Sequence, residues 1–300
     1  MGWFDAALFA LLAVLGVAVP LSGDGYLLGL AFNLALWIAL TQSWSILSAT
    51  TGYVSLGHVV FYGLGSYVLV LTVGSLPVPL AIVLAGVAAA VFALVVGLPV
   101  LRVRGPYFVI LTFGLAELVK HLVVQIEAAL GQYSRLLFGM PDLPYLYWWM
   151  FGLAVAATAA AVAVRRSRFG RGLLAIRENE EAAETVGVPV NRLKLLAFAA
   201  SAAVPGAVGA LAQMRTGYFE PGQAFDPVVS FSIVTMAVVG GSDQARGPIL
   251  GAAAFLLLSE LLWSSLPQLY MIILGVLLIV FVLFIPQGLA GLLTPPGRRR

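Results

Sequence analysis

Apolar residues fill this chain in long runs, and charged residues are confined to the short breaks between them. The runs lie at about 3–20, 26–48, 53–72, 77–100, 106–127, 145–164, 194–214, 228–240, 247–264 and 268–285. No Asp, Glu, Lys or Arg occurs from Gly25 to Leu101. Crossing a membrane takes about 20 apolar residues as a helix, and lipid leaves no partner for unpaired backbone groups. The alternating pattern of a transmembrane barrel is absent. The pattern predicts an all-α, polytopic helical membrane protein with about 8–10 transmembrane segments.

The run at 228–240 is short for a full crossing, so it is interpreted as a tilted span, a broken helix or a re-entrant segment. If it forms a re-entrant hairpin with 247–264, eight segments cross. If both runs cross the membrane, ten segments cross.

Lys and Arg in short loops set the orientation of such a protein. With the loop at 165–194 in the cytoplasm, the inner loops and tail hold 13 of the 16 Lys and Arg residues. The bias predicts a multi-pass protein of the inner or plasma membrane with both termini in the cytoplasm. We expect one permease domain over 1–300 that contains the loop at 165–194.

Composition excludes several kinds of chemistry. Cysteine is absent, which excludes a disulfide, a thiol nucleophile and a cysteine metal site. The two histidines, His58 and His121, stand without a paired carboxylate motif, so no metal site is expected. No Asp-rich phosphate-binding motif, His-Glu-x-x-His motif or Ser–His pairing at useful spacing is present. These absences favour a transporter over a membrane-embedded enzyme.

The loop at 165–194 holds 11 of the 29 charges of the chain. Within it a stripe recurs at three- and four-residue steps, which predicts a short amphipathic helix: Ala175, Ile176, Asn179, Ala183 and Val186. Gly187 is placed to end this helix, and Pro189 follows. Its four acids argue against binding to anionic lipid and favour a cytosolic protein partner. From charge alone, a solvated loop that only fixes topology remains an equal alternative.

Several motifs resemble those of one transporter family. "EAAETVG" (181–187) resembles the coupling-loop motif of ABC-importer permeases. "GYVSLGHVVFYGLGSYV" (52–68), "RVRGPYFVILTFGLAELVKHLV" (102–123), "FGRGLLAIRENEEAAETVGVPVNRLKLLAF" (169–198), "VVGGSDQARGPILGAA" (238–253) and "IPQGLAGLL" (285–293) resemble segments of branched-chain amino-acid ABC transporter permeases of the LivM type. The stretches "TQSWSILSATT" (41–51) and "GGSDQAR" (240–246) depart from the family pattern.

This resemblance implies a heteromeric importer of Leu, Ile and Val that works by alternating access. A second permease subunit, two cytoplasmic ATPase subunits and an extracytoplasmic substrate-binding protein are the implied partners, and no nucleic acid is. ATP and Mg²⁺ would bind the ATPases, with no cofactor on this chain. The resemblance also implies a set of ATPase-coupling residues: Arg177, Glu178, Asn179, Glu181, Ala182, Ala183 and Gly187.

Polar residues within the apolar runs are candidates for the substrate path. One helix face carries Glu117, Lys120 and His121. This group is interpreted as a polar patch that lines the conduit. The alternatives are a charge pair that satisfies itself and fixes the helix register, or side chains that reach the membrane boundary near the end of the span. His58, with Ser55, begins the third run near the cytoplasmic side and is interpreted as a gate or as a hydrogen-bonded structural histidine.

Gly240 and Gly241 flank the short run, where a broken helix could bind a substrate carboxylate. A tight turn is the alternative.

Two other functions remain open. An ABC permease for urea or short amides would share this fold. An ion-coupled secondary transporter would use Glu117, Lys120 and Glu260 as coupling groups. The two transporter classes differ in their need for ATPases and a binding protein.

Overall fold

The computed structural model describes residues 16–20, 23–132, 134–242, 244–265, 273, 275–276 and 288–292. The larger helices of the first half are α1 (Gly25–Thr51), α2 (His58–Thr72), α3 (Val78–Val100), α4 (Pro106–Ala129) and α5 (Leu143–Arg166). The later helices are α6 (Arg168–Glu178), α7 (Glu180–Thr185), α8 (Val190–Thr216), α9 (Pro221–Ala224), α10 (Pro227–Gly240), α11 (Arg246–Ser265) and α12 (Gly288–Leu292). Two short strands, β1 (Arg135–Leu136) and β2 (Tyr218–Phe219), pair antiparallel.

The prediction of an all-α, multi-pass membrane protein is confirmed. Within the described residues, six helical stretches are long and apolar enough to cross a membrane: α1, α3, α4, α5, α8 and the stretch Pro221–Gly240 that joins α9 to α10. Helix α2 is a shorter apolar helix of 15 residues. Most of the predicted segments 3–20 and 268–285 and the arginines at 298–300 lie outside the described residues, so the total of eight to ten segments stays a prediction.

Local signals explain where the helices begin. The Asp24 carboxylate accepts hydrogen bonds from the backbone N–H groups of Tyr26 (2.8 Å) and Leu27 (3.4 Å), and so caps α1. Proline occupies the first turn of α4 and α10, where its missing N–H costs nothing. The Asp24 cap supplies a partner for N–H groups that would otherwise be unpaired, and each proline removes one such group.

Helices α1 and α8 lie at the centre of the bundle, and most of each is buried. Helix α8 packs against α3 on one side and α2 on the other. Small residues make this packing close: a Cβ on Gly65 would lie 1.8 Å from the carbonyl oxygen of Gly206, and one on Gly209 would lie 2.0 Å from that of Tyr62. Because lipid gives helices no hydrophobic reason to associate, such backbone approach is a main source of stability.

The two ends of the bundle differ in character. We call the end that carries α6 and α7 the charged end, and the end that carries β1 and β2 the opposite end. At the opposite end, Arg135 forms an ion pair with the buried Glu127 (2.7 Å), and Tyr67 donates a hydrogen bond to the same carboxylate (2.8 Å). This cluster fastens the β1 segment to α2 and α4.

The close approach of α2 and α8 predicts that Gly65→Ala destabilises the protein by about 1–3 kcal/mol or more, because its methyl group would meet backbone rather than a flexible side chain. Gly152→Ala on α5 is the matched control, since nothing lies within 4 Å of its added Cβ. Thermal unfolding of the purified protein in detergent measures the difference. Equal melting temperatures for the two variants would contradict the packing argument.

Candidate functional site

The loop at 165–194 folds into two helices and not one. Ser167 caps α6 by accepting a hydrogen bond from the N–H of Gly170 (3.0 Å). Asn179 has an extended backbone (φ −159°, ψ 110°), which ends α6, and its side chain accepts from the N–H of Ala182 (3.0 Å) to cap α7. The prediction of one continuous helix was therefore wrong, because Asn179 favours a cap over a helix interior.

Gly187 ends α7 as predicted. Its φ is +86°, a conformation that residues with a Cβ rarely adopt. Its N–H donates to the carbonyl of Glu184 (3.0 Å), and the N–H of Val188 donates to that of Ala183 (3.0 Å). These two bonds satisfy the last carbonyls of α7 and fix the direction in which the chain leaves it.

The predicted stripe is only partly buried. Ile176 and Ala183 pack into a core together with Leu173, Val190 and Phe198. Asn179 is exposed, and Val186 is 78% exposed. The break at Asn179 rotates α7 relative to α6, so the stripe does not continue along one face.

The rest of α7 and its C-terminal turn form an exposed surface, which we call the α7 outer face: Glu181, Ala182, Glu184, Val186 and Gly187. Arg177, Glu178 and Asn179 are exposed beside it. The Arg177 guanidinium also donates to the carbonyl of Ala49 at the end of α1 (2.8 Å). Of the predicted coupling residues, Ala183 alone is buried in the chain's own core.

Glu180 points inward, away from the α7 outer face. Its carboxylate accepts hydrogen bonds from Lys194 (2.8 Å) and Tyr53 (2.5 Å). Arg104 lies 3.3 Å from Glu180 and 3.6 Å from Glu181. Burial raises the pKa of the Glu180 carboxyl, but the hydrogen bonds from Lys194 and Tyr53 and the charges of Lys194 and Arg104 outweigh this and hold the pKa below its usual value.

Sequence reasoning missed Glu180, Lys194, Tyr53 and Arg104. One signal was available: Lys194 shares a face of α8 with Val190, Ala197 and Phe198, all of which are apolar and buried. A lysine on an apolar face requires an acidic partner. The identity of that partner was not readable, because Glu180, Glu181 and Glu184 all lie nearby in sequence.

His58 lies inside the bundle. After α1 ends, residues 52–57 turn back into the bundle, where the Trp44 indole donates to the carbonyl of Ser55 (2.9 Å) and the N–H of Leu56 donates to the Thr112 hydroxyl (3.1 Å). Trp44 and Thr112 sit about 10 Å in from their helix ends, at 1.5 Å per residue. Helix α2 therefore begins inside the bundle, about 10 Å in from the charged end. The expectation that His58 lies near the cytoplasmic side stays a prediction.

The His58 side chain is fully buried, and neither ring nitrogen has a hydrogen-bond partner among the residues that the structure describes. Its ring packs edge-on against Phe61. Helix α10 also begins in this region, since the Ser230 hydroxyl accepts a hydrogen bond from the N–H of Val59 (3.0 Å). Two helix N-termini and an unpaired imidazole thus meet in the interior, which is unlike the hydrogen-bonded structural histidine of the alternative interpretation.

Glu117 and His121 form an i,i+4 pair (3.6 Å) on the outward side of α4. The His121 side chain is 72% exposed, and that of Glu117 is about one-third exposed. Lys120 is half-buried beside them. The three residues therefore share a region of α4, with the His121 side chain turned away from the bundle.

Gly240 and Gly241 form a tight turn between α10 and α11. A Cβ on Gly240 would lie 1.9 Å from the carbonyl oxygen of Gly247, and Gly251 approaches the same turn. Gly241 has a φ of +90°. Close packing accounts for Gly240 and the positive φ accounts for Gly241, which favours the tight-turn interpretation over an open helix end.

Within the described part of the chain, no group of three or more His, Asp or Glu residues could hold a metal ion.

A family model described as the permease component of the branched-chain amino acid transport system matches residues 25–282. The chain belongs to this family. It is a multi-pass permease component of a branched-chain amino acid ABC transport system, a transport role and not a catalytic one, as the motifs had indicated.

Individual relatives agree with the family assignment. The permease is 29% identical to the high-affinity branched-chain amino acid transport system permease protein LivM of Escherichia coli K12, over 95% of this chain and 74% of the relative. The LivM protein of Salmonella typhimurium matches equally. The LivH permease protein of Escherichia coli K12 is 27% identical over 46% of this chain and 44% of its own length. No solved structure was found to match the permease.

The hydrogen bond from the N–H of Val59 to the Ser230 hydroxyl joins α2 to α10, and its loss should destabilise the protein. Ser230→Ala leaves the buried N–H of Val59 without its acceptor, at an expected cost of about 1–3 kcal/mol in stability. Ser232→Ala, on the same helix and half-buried, is the control and should unfold like the wild type. Thermal unfolding in detergent measures both, and a Ser230→Ala protein as stable as the control would rule out this anchoring role.

Proposed function

We propose that this permease carries Leu, Ile and Val into the cell as one subunit of an ATP-driven importer. The 29% identity to LivM proteins over nearly the whole chain supports this substrate class. We further propose that residues 1–300 act as one permease domain in the inner or plasma membrane. The charged end and both termini would face the cytoplasm, because Lys and Arg concentrate there.

The observation that carries the proposal is the rigid, exposed α7 outer face. Helix α7 is capped at both ends, by Asn179 and Gly187, and its inner side is anchored in the core by Ala183. A surface fixed in this way can pass a push from a partner to the bundle without deforming. We propose that an ATPase subunit, which holds ATP and Mg²⁺, docks here.

The complete importer would contain a second permease subunit, two ATPases and an extracytoplasmic substrate-binding protein. The outward pair Glu117 and His121 supports a protein neighbour beside α4, since ionisable groups at membrane depth avoid lipid. We propose that this face, with Lys120, meets the second permease subunit or the water-filled path between the subunits.

We propose that substrate passes close to Ser55 and His58 when the bundle opens. Both residues are fully buried in this conformation, so the path would be closed here. Helix N-termini carry partial positive charge, and those of α2 and α10 could face the carboxylate of an amino acid during passage. Gly240 and Gly241 would act through packing of the α10–α11 turn and not through substrate contact.

Reconstitution tests the function directly. In liposomes, this chain should take up no leucine until the second permease, both ATPases, the binding protein and ATP are present together. An ATP-free complex and an otherwise complete complex offered urea are the controls. Leucine uptake by this chain alone, driven by an ion gradient, would instead identify a secondary transporter, and preferential urea uptake would identify an amide importer.

If the ATPase docks on the α7 outer face, a tryptophan should cause a transport defect at Ala182 and a stability defect at Ala183. Ala182→Trp adds a bulky ring to an exposed position, so the permease should stay as stable as the wild type. It should lose about 90% or more of ATP-driven uptake, because a clash with the ATPase that costs about 1.4 kcal/mol weakens docking tenfold. Ala183→Trp forces the same ring into the core and should lower the melting temperature itself. Thermal unfolding and uptake are measured on both variants.

Normal uptake by Ala182→Trp would exclude α7 as the docking surface. Gly187→Trp is a poorer probe, because the positive φ of Gly187 would be strained by any side chain.

A further inference from the structure

We infer that Glu180 and Tyr53 form a positioning contact that carries the movement of α7 to the interior segment 52–57 and so to the start of α2. This inference rests on the proposed docking of an ATPase at α7. It assigns roles to two residues outside the motif that suggests docking, and it names the route by which a push at the charged end reaches the buried interior.

The first step of the route is the carboxylate of Glu180, where four parts of the chain meet. One oxygen accepts from Lys194 at the start of α8 (2.8 Å) and lies 3.3 Å from Arg104, in the turn between α3 and α4. The other oxygen accepts from the Tyr53 hydroxyl (2.5 Å). A carboxylate with two hydrogen-bond donors and one ion-pair partner, on three different segments, holds α7 at a defined position relative to each of them.

The second step is the burial of Lys194, which makes the contact hard to break. Its side chain is 1% exposed. Besides Glu180, its ammonium donates to the Tyr53 hydroxyl (3.2 Å) and to the carbonyl of Leu101 (3.2 Å), and it lies 4.8 Å from the centre of the Tyr53 ring. A buried charge must keep its partners, because separating them leaves it unpaired in a medium of low dielectric constant. Glu180 and Lys194 should therefore move as one unit.

The third step leads inward from Tyr53. Its ring packs edge-on against Phe108 of α4 (5.0 Å). Two residues further on, the carbonyl of Ser55 accepts a hydrogen bond from the Trp44 indole, and the N–H of Leu56 donates to the Thr112 hydroxyl. Segment 52–57 is thus fixed to α1 and α4 along its length, so a displacement of Tyr53 is passed to His58 and not absorbed by a slack loop.

The adjacent acidic residues Glu180 and Glu181 of α7 face opposite sides of the helix. The Glu181 side chain is 84% exposed and belongs to the α7 outer face, whereas the Glu180 side chain is 12% exposed and points into the bundle. The two side chains are one residue apart on a single helix. A push on one side of α7 is thereby delivered to the segment on its other side.

A purely structural ion pair is the competing explanation, and Tyr53→Phe separates the two. This variant removes one hydroxyl but keeps the ring on Phe108 and the pairing of Glu180 with Lys194. Tyr67→Phe is the matched control, because it removes an equivalent Tyr–Glu hydrogen bond, to Glu127, at the opposite end of the bundle. Glu180→Gln is the second test variant and Glu184→Gln, exposed on the same helix, is its control.

The experiment uses the full reconstituted complex and measures thermal stability, binding-protein-stimulated ATP hydrolysis and leucine uptake. We expect Tyr53→Phe to assemble and hydrolyse ATP like the wild type but to transport at least about fivefold less leucine per ATP, the low end of typical coupling between sites. Glu180→Gln should lower the ratio of uptake to ATP hydrolysis likewise, and it should also lower the melting temperature, because the buried Lys194 ammonium loses its counter-charge. The two changes combined should lower the ratio no further than the larger single effect. Tyr67→Phe and Glu184→Gln should keep the wild-type ratio.

The outcomes separate two kinds of failure. If the wild-type complex transports and Tyr53→Phe keeps the wild-type ratio of uptake to ATP hydrolysis, the inference is overturned and the proposed function stands. If Tyr53→Phe and Tyr67→Phe lose the ratio equally, a specific route through Tyr53 is also overturned. If the wild-type complex shows no ATP-driven uptake, the proposed function fails and this inference fails with it.

Discussion

Close packing of α8 against α2 and α3 is the interaction on which the rest of the structure depends. In lipid, apolar side chains gain little by leaving their surroundings, so helices associate where backbones can approach and van der Waals contact is dense. Gly206 and Gly209 provide that approach, toward α3 and α2 respectively. With α8 fixed, its N-terminal part presents Lys194 at the charged end. The loop helices α6 and α7 are then built against a rigid surface.

A second constraint is that backbone buried at membrane depth must be hydrogen-bonded. The non-helical segment 52–57 breaks the helical pattern inside the bundle, and side chains of neighbouring helices supply hydrogen-bond partners for it and for the first turn of α2. Thr112 and Ser230 serve in this way for the N–H groups of Leu56 and Val59. Non-helical backbone is tolerated here because it is covered by protein.

The loop at 165–194 depends both on the close packing of α8 and on the hydrogen bonding of buried polar groups. Its outer surface is polar and preformed, and its inner surface ends in a buried ion pair that touches three other segments. Local chemistry explains each part: Asn179 and Gly187 set the ends of α7, and Ala183 is small enough to lie on the core. Residues 52–57, which contact α7 through Tyr53 and Glu180, connect this loop to His58. The loop is therefore part of the bundle's packing and not an appendage that only fixes topology.

The sequence by itself determined the class of protein, the loop that carries the charges and the residue that ends α7. These follow from local rules: lipid forces apolar stretches into helices, and a positive φ favours glycine. The family motifs added the permease assignment. Only the tertiary structure decided that Glu180 faces inward while Glu181 faces out, and that His58 lies deep in the bundle. Periodicity shows which face of a helix is apolar, but the partner of a buried charge and the depth of a chain break depend on contacts between distant segments, such as Tyr53 with Glu180, which no local pattern encodes.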